Sequence, residues 1–260
     1  MKKCCVLIPY YNAGESLFES IDYEYIKPDV IVVDDGSLVT KASTVLLKYE
    51  GPLTIKLLEL EKNKGIEHAL NHGLSTYAKD YEFIARLDCG DICQNNRFEK
   101  QVKYLEDNKS CYLIGSWVDF TDMDRNHLYT VKHPSNYDSI KNLMFLNATF
   151  THPTVIFRND VVESVGLYPT NYPAAEDYAY FFSIIKKHPA SNIEESLVAC
   201  TIDPNGISTK KRKTQIKSRL SVIIKNFTFN QYSVYGLFRS AVLLYTPRSF
   251  TVHLKQILKK

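Results

Sequence analysis

Four short apolar segments recur in the N-terminal third of the chain, and each ends in polar residues. They span residues 4–9, 30–34, 53–60 and 83–88. Apolar runs of this length between turn residues are typical of buried strands. The intervening segments have the length of helices and span residues 15–26, 41–49 and 66–77. This alternation predicts a parallel α/β sheet.

Beyond residue 91 the pattern becomes mixed. Helices are predicted at residues 95–107 and 176–187, and strands at residues 112–120 and 154–158. Internal repeats and low-complexity linkers are absent, which predicts one domain over residues 1–203. Residues 204–260 are predicted to form a helical tail. Its expected helices span residues 210–229, about 234–244 and a segment after residue 247.

The composition is that of a globular protein, since 45% of the 260 residues are hydrophobic and 12% are aromatic. Six scattered cysteines in apolar surroundings indicate a reducing, cytosolic location. No window approaches the roughly 20 apolar residues that span a bilayer. A basic pair begins the chain, but Pro9 interrupts the apolar run that follows, so no export signal is predicted.

Charge is distributed unevenly along the chain. The net charge is only +3, yet residues 204–260 contain twelve Lys and Arg and no Asp or Glu. This asymmetry predicts a surface for anionic lipid or nucleic acid, with a solvated basic helix as the alternative. In this tail Leu237, Ala241 and Leu244 share a helix face that Phe238, Val242 and Tyr245 broaden, which predicts an amphipathic helix at a membrane surface. Packing of that face on the preceding domain is the alternative.

Acidic residues follow two of the predicted strands. Asp34 and Asp35 end the second strand, and Asp88 and Asp91 follow the fourth. The carboxyl ends of parallel strands meet at one edge of a sheet, where ligands bind. One acid of the first pair could accept from a base or ribose while its neighbour orients the loop. The second pair offers hard oxygen ligands for Mg²⁺ or Mn²⁺. In each loop a capped turn is the alternative.

Five motifs follow one another in an order that resembles a known family. They are VLIPYYNAGESLFESI, VIVVDDGS, N-x-G at residues 63–65, FIARLDCGDICQNNRFEKQVKYLE and AAEDYAYFFSII. Together they resemble the family 2 glycosyltransferases of the GT-A fold. The resemblance implies an α/β fold with a Rossmann-like nucleotide-binding half and a mixed central sheet. It gives a donor half at about residues 1–92 and an acceptor half at about residues 93–203.

The resemblance also implies roles for residues of the donor half. The nucleotide pocket would be bordered by Pro9, Tyr11 and Asn12, and the uracil and ribose would be contacted by Asp34 and Asp35. Arg86 would orient nearby acids or meet a phosphate, with a structural ion pair as the alternative.

The metal site implied by the resemblance is of the D-x-D type and would hold Mn²⁺ or Mg²⁺ with Asp88 and Asp91. Gly90 stands where the commoner motif D-A-D-D has an acid. We therefore assign Asp91 as the direct metal ligand and Asp88 to the ribose or to a metal-bound water. The metal would stabilise charge on the leaving nucleoside diphosphate.

Asp177 matches the position of the family's catalytic acid. An acceptor hydroxyl must lose its proton as it attacks the anomeric carbon, and a carboxylate can take that proton directly. Inversion needs one base and no enzyme nucleophile. We assign contact with the sugar or the acceptor to three further residues, Trp117, His152 and Glu176. For the tryptophan and the histidine a structural role is the alternative. For Glu176 and Asp177 the alternative is that they are acids in the first turn of a helix, where the helix dipole favours them.

The sequence thus predicts an inverting, metal-dependent glycosyltransferase that uses a nucleotide sugar, with UDP-galactose or UDP-glucose as the expected donor. The acceptor would be a lipid-linked glycan or an oligosaccharide of a bacterial surface polysaccharide or lipooligosaccharide. The enzyme would be cytoplasmic and peripheral at the inner face of the cytoplasmic membrane, held there by its tail. A homo-oligomer is left open.

Two alternative functions remain at this point. A nucleotidyltransferase should have a glycine-rich basic loop for phosphate near the N-terminus, but the segment PYYNAGES contains no Lys or Arg. A non-catalytic nucleic-acid-binding protein would use the basic tail and bind with strong salt sensitivity. The leading prediction expects no nucleic acid as a partner.

Overall fold

A mixed sheet of nine strands runs through the computed structural model, which describes residues 2–21, 28–202 and 210–246. The strands are β1 Lys2–Tyr10, β2 Asp29–Asp34, β3 Ile55–Glu59, β4 Tyr81–Arg86, β5 Ile92–Cys93, β6 Leu113–Thr121, β7 His127–Val131, β8 Ile156–Arg158 and β9 Ala190–Thr201. Their order is β3-β2-β1-β4-β8-β6-β9-β5, with β7 paired to the second half of β6.

The first four strands in this order are parallel, and the sheet becomes mixed where β8 joins. β8 is antiparallel to both β4 and β6, β6 and β9 are parallel, and β5 is antiparallel to β9. The α/β fold class predicted from the sequence is therefore confirmed. All four apolar segments of the N-terminal third form strands, although β4 ends at Arg86, two residues before Asp88.

Nine α-helices surround the sheet in the described part of the chain. They are α1 Ser16–Glu19, α2 Ala42–Leu46, α3 Ile66–Tyr77, α4 Arg97–Asp107, α5 Tyr137–Leu143, α6 Asp160–Val165, α7 Glu176–Lys187, α8 Arg212–Lys225 and α9 Gln231–Tyr245. The predicted bounds of α3 and α7 agree with the structure. The helix predicted at residues 15–26 covers only Ser16–Glu19 among the described residues. The helix predicted after residue 247 lies outside them.

Both faces of the sheet are covered by apolar packing, which explains why the strands read as continuous apolar runs. Side chains alternate between the faces along β1. Leu7 belongs to the cluster that contains Leu70 of α3 and Phe181 of α7. Its neighbour Ile8 belongs to the cluster on the other face, with Phe98 of α4. The loops at the carboxyl edge are therefore carried by a rigid sheet.

The two C-terminal helices pack on the first of these faces. Val222 and Ile223 of α8 are buried in the cluster that contains Phe181, and Leu237 of α9 packs against it. The Phe145 carbonyl lies so close to Gly236 of α9 that a Cβ added there would be 2.3 Å from its oxygen. The described part of the tail is thus in contact with the α/β domain.

The face of α9 that packs inward consists of small residues and differs from the apolar face that the sequence assigned to a membrane surface. The buried residues are the small side chains Ser233, Gly236 and Ser240. Leu237 and Leu244 are only partly buried, and Ala241 is exposed. The helix approaches through its small residues because they allow close backbone contact, and this leaves much of its apolar surface outside. None of the described helices is long and apolar enough to cross a bilayer.

Candidate active site

The loop after β2 is built by the carboxylate of Asp34. Its two oxygens accept hydrogen bonds from the backbone N–H groups of Ser37 and Ala42, each at 2.8 Å. The Ala42 bond also supplies a partner to one of the free N–H groups at the start of α2. The side chain is buried. Of the two roles predicted for the Asp34–Asp35 pair, these bonds give Asp34 the orienting one.

Asp35 joins this loop to the segment that precedes α3. Its carboxylate accepts from the N–H groups of Lys64 and Gly65, at 2.8 and 2.9 Å, and burial raises its pKa. Gly36 beside it has φ +66°, and a Cβ there would lie 2.4 Å from the Lys62 carbonyl carbon. Only glycine fits this close approach of two loops. The uracil and ribose contacts assigned to this pair stay predictions.

The loop after β1 clamps the loop after β2. The side-chain oxygen of Asn12 accepts from the N–H groups of Val39 and Thr40, at 2.9 and 3.1 Å. The Asn12 N–H donates to Ser37 Oγ at 2.8 Å. Tyr11, which is 48% exposed, lies at the rim, where a flat nucleobase would have access to it.

The loop after β4 is an acidic turn that spans Asp88 to Asp91. The Asp91 N–H donates to the Asp88 carbonyl at 3.2 Å, and Gly90 between them has φ +87°. Cys89 Sγ lies 3.6 Å from the Pro9 carbonyl. Through this contact and those of Asn12, the structure brings the three polar loops together at one edge of the sheet.

The two carboxylates of the turn differ in exposure. Asp91 is buried, and Cys200 Sγ of β9 donates to it at 3.3 Å. The side chain of Asp88 is 41% exposed. Burial, together with the nearby Asp88 charge, raises the pKa of Asp91 to about 8. Asp88 is therefore the more accessible acid, although the sequence analysis assigned the direct metal contact to Asp91.

Arg86 lies behind this turn as a buried cation. It pairs with the Asp88 carboxylate and donates to the Leu87 carbonyl, while its Nε has no hydrogen-bond partner among the described residues. Its charge also counteracts the rise in the pKa values of Asp91, Glu176 and Asp177. The ion pair considered for Arg86 is present, and contact with a phosphate stays a prediction.

The residues of the turn fit a divalent cation that takes its other ligands from a phosphate. Two hard oxygen donors lie on one turn, and burial, followed by the charge of Asp88, raises the pKa of Asp91. The described residues contain no group of three or more His, Cys, Asp or Glu that could hold a metal ion. Such a cation would need the donor's phosphate oxygens to complete its coordination.

The turn that begins α7 holds the predicted base. Ala174 has φ +60°, a strained conformation for alanine. Glu176 is buried, and burial together with the Asp177 charge raises its pKa to about 8. Burial also raises the pKa of Asp177, whose Oδ1 accepts from the Tyr178 N–H at 2.6 Å. The charges of Asp88 and Arg86 both act on the pKa of Asp177, so the α7 turn lies near the acidic turn and the buried Arg86.

Two residues assigned to the sugar or acceptor have partners within the protein, and their contact with a sugar stays a prediction. His152 is buried, with Nε2 3.0 Å from the Tyr168 hydroxyl and its ring against Phe181. The Trp117 indole N–H donates to the His133 carbonyl at 3.0 Å, and the Lys132 ammonium lies 4.8 Å from the centre of the ring. No sugar role is needed to account for either position.

Three residues near the site were not identified from the sequence. Arg97 is buried and donates to the Arg86 carbonyl at 2.8 Å. It could have been identified from the segment NNRF of the fourth motif. Cys200 and Arg219 gave no signal, because they reach the site from β9 and α8 through tertiary packing.

Comparison with known proteins gives consistent similarities. The family model described as "Glycosyl transferase family 2" matches residues 5–166. The chain is 29% identical over 252 residues to the amylovoran biosynthesis glycosyltransferase AmsE of Erwinia amylovora, covering 92% of this chain and 93% of that protein. It is 30% identical over 234 residues to the UDP-Gal:alpha-D-GlcNAc-diphosphoundecaprenol beta-1,3-galactosyltransferase of Escherichia coli, covering 87% and 83%.

Solved structures share the fold. The crystal structure of S. aureus TarS 1-349 superposes on this chain with a TM-score of 0.66 at 16% identity, covering 92% of this chain and 70% of that one. The mannosyltransferase PcManGT from Pyrobaculum calidifontis, solved with GDP-Man and Mn²⁺, gives a TM-score of 0.63 at 16% identity over 99% and 79%. At this level of identity the likeness concerns the fold alone.

Proposed function

Since the chain belongs to glycosyl transferase family 2 and is a glycosyltransferase, we propose that it transfers a hexose from a UDP-sugar to a hydroxyl of a glycan acceptor with inversion. Family membership selects this reaction class over the nucleotidyl transfer that the sequence left open. UDP-galactose and UDP-glucose are the proposed donors. The name of the E. coli relative, which specifies UDP-Gal, supports the first of them.

One observation carries the proposal: the buried Asp177, at the start of α7, lies close enough to the ion pair of Arg86 and Asp88 for both charges to act on it. In the proposed reaction the acceptor hydroxyl gives its proton to the Asp177 carboxylate as its oxygen bonds to the anomeric carbon. The bond from that carbon to the diphosphate oxygen breaks, and its electron pair leaves with the nucleoside diphosphate. The raised pKa brings Asp177 closer to the working pH, which favours a general base.

The donor would be held by the three loops at the sheet edge. Pro9, Tyr11 and Asn12 would border the nucleoside, and Asp35 would use its remaining lone pairs for uracil or ribose, with Asp34 holding the loop in shape. Buried carboxylates that already accept backbone N–H bonds have a fixed position, and such preorganisation favours specific binding.

A divalent metal would be held by the acidic turn, with Asp88 and Asp91 supplying oxygen ligands. When bound, such an ion stabilises the charge that develops on a leaving diphosphate. Arg86 keeps the acidic turn in place through its pair with Asp88. Glu176, beside the base, would contact the sugar or acceptor.

The acceptor is proposed to be a lipid-linked glycan of a bacterial surface polysaccharide. The relatives are glycosyltransferases of amylovoran biosynthesis and of a diphosphoundecaprenol-linked substrate, which supports this class. Docking of the tail on the inner face of the cytoplasmic membrane would bring the site to such a substrate. The exposed apolar side chains on α9 and the acid-free tail support this placement.

Calorimetry with nucleotides tests the donor half without knowledge of the acceptor. UDP, GDP, CMP and TDP are titrated into the full chain with Mn²⁺ and again with EDTA. We expect UDP to bind most tightly, and at least tenfold more tightly with Mn²⁺ than with EDTA. Asp91→Asn should remove this metal dependence, whereas Asp138→Asn, an exposed acid on α5, should not.

Two outcomes would contradict the proposal. Equal affinity for UDP in Mn²⁺ and EDTA would argue against a metal-dependent donor site. Tighter binding of another nucleotide would argue against a UDP-sugar while leaving the reaction class intact.

A further inference from the structure

The C-terminal helix α8 is fixed against the segment that leads into α7. Ser218 Oγ donates to the Pro173 carbonyl at 2.9 Å. The next residue, Arg219, lies with its guanidinium carbon 4.6 Å from the centre of the Tyr178 ring. Tyr178 directly follows Asp177 in the chain. The tail therefore delivers a cation to the turn that carries the proposed base.

A second guanidinium approaches the same tyrosine from α9. Arg239 Nη1 donates to the Leu146 carbonyl at 2.6 Å, and the Tyr178 hydroxyl donates to the carbonyl of Met144, two residues earlier. Burial and the charge of Arg219 lower the pKa of Arg239, so the two cations are close enough to repel each other.

These two arginines lack an acidic partner in the part of the chain that the structure describes. No Asp or Glu oxygen there lies within 4.0 Å of either guanidinium. The charge of Arg219 counteracts the rise in the pKa of Asp177, but neither guanidinium has a salt bridge within the described ranges, and partly buried like charges that are not paired are unfavourable. Arginine is also the residue best shaped to bind phosphate through two parallel hydrogen bonds. The pair has the properties of an anion site.

We propose that Arg219 and Arg239 form a subsite for a phosphate group of the acceptor, the group that links its first sugar to a lipid. This inference rests on the proposed function and deepens it. A phosphate held beside Tyr178 would position the attached sugar so that its hydroxyl meets Asp177. The subsite belongs to the α7 side of the active site, whereas the donor loops follow β1, β2 and β4. The donor's diphosphate is the other source of the same chemistry.

Kinetics with two matched acceptors distinguish these sources. One acceptor is a sugar diphosphate that carries an alkyl chain, and the other is the same sugar joined directly to that chain. We expect Arg219→Gln to lower kcat/KM at least tenfold on the diphosphate acceptor, chiefly through KM, and no more than twofold on the glycoside. Arg239→Gln should act in the same direction, and Arg219→Lys should keep part of the activity. Lys217→Gln, an exposed cation on the same helix, is the control.

The KM for the nucleotide sugar should be unchanged in these variants. Equal losses on both acceptors would mean that the arginines act only through their contact with Tyr178 or through the Arg219 charge on Asp177, and would overturn the proposal. A raised KM for the donor with an unchanged KM for the acceptor would assign the arginines to the donor's phosphate instead, and would overturn it as well.

Calorimetric binding of the alkyl diphosphate alone separates this inference from the proposed function. The wild type should bind it, and Arg219→Gln should bind at least tenfold more weakly. If that difference is found but no nucleotide sugar supports transfer, the subsite stands and the proposed function fails. If the wild type transfers sugar but Arg219→Gln binds the alkyl diphosphate equally well, the subsite fails and the proposed function stands.

Discussion

Asp177 is the residue on which the proposed reaction depends. An asparagine at this position has nearly the same shape but cannot accept the acceptor's proton. Asp177→Asn should therefore reduce transfer by about a thousandfold, in the range typical for loss of a general base, and should leave UDP affinity within about twofold. Steady-state kinetics and calorimetry measure the two quantities. Near-normal turnover would show that another group is the base, and Asp138→Asn is the matched control.

His133 provides a pH-dependent contribution to stability. It is 8% exposed, its Nε2 lies 2.8 Å from Thr151 Oγ1, and burial lowers its pKa to about 4. In the unfolded state the histidine has its ordinary pKa near 6.5, so it takes up a proton there first as the pH falls. The native state therefore loses stability between about pH 6.5 and 4.

Comparison with His133→Gln isolates this effect. Between pH 7 and pH 4 the wild type should lose up to about 3 kcal/mol of unfolding free energy relative to the variant. Urea unfolding at several pH values measures the difference. If the two proteins lose stability in parallel, the histidine is not held neutral in the native state.

At the scale of elements, two glycines in the donor loops differ in what surrounds them. Gly36 and Gly14 both have positive φ, +66° and +63°. A Cβ at Gly36 would collide with the Lys62 backbone, whereas nothing lies within 4 Å of one at Gly14. Gly14→Ala should cost only the left-handed backbone strain, about 1 kcal/mol.

Gly36→Ala should cost at least about 2 kcal/mol more, since two backbone segments must move apart. It should also weaken UDP binding, because Asp35 holds the segment that would shift. Urea unfolding and calorimetry on both variants test this. Similar losses of stability would indicate that the loops separate easily.

The elements that the sequence predicted well are those with a strong local pattern. Apolar spacing marked α3 and α7 to their bounds, and the apolar runs marked β1 to β4. By contrast, β9 has an irregular burial pattern, and its pairing with β6 shifts register around Trp117. The strand β5 has only two residues. Such elements exist because of their partners across the sheet, and no local pattern specifies them.

The same distinction applies to the site. The loops with Asp34, Asp35, Asp88 and Asp91 could be predicted to converge, because parallel strands place their carboxyl ends together. How each acid is used depended on burial and on backbone N–H groups from distant loops. The position of Arg219 beside Tyr178 depends on how α8 packs against the domain. No local sequence pattern predicts that packing.

At the scale of the whole molecule, the outer surface of α9 is an apolar stripe. Five large side chains on it are at least 46% exposed: Val234, Tyr235, Phe238, Val242 and Tyr245. Exposed apolar residues on one helix face are typical of a binding surface. With the basic residues of the tail, this stripe has the chemistry of a helix that lies in an anionic membrane surface.

Replacing Phe238 and Val242 by serine tests this docking. Burial of each such side chain contributes about 1.5–3 kcal/mol, so the double variant should bind at least tenfold more weakly to vesicles of phosphatidylglycerol and phosphatidylethanolamine. Co-sedimentation measures the loss. Leu47→Ser, at the exposed end of α2, is the control. Unchanged binding of the double variant would exclude the stripe as the membrane contact.

The position of β9 between β6 and β5 has a consequence for the order in which the enzyme matures. Asp91 lies next to β5, which pairs with β9, and its carboxylate accepts from Cys200 at the end of β9. During synthesis the first four strands leave the ribosome long before β9 has been made. A growing chain can therefore form the loops after β1 and β2 early, whereas it completes its acidic turn only when β9 pairs with β5. The turn proposed to hold the metal is therefore closed by the last strand among the described residues, so donor binding through a metal should begin only after β9 has folded.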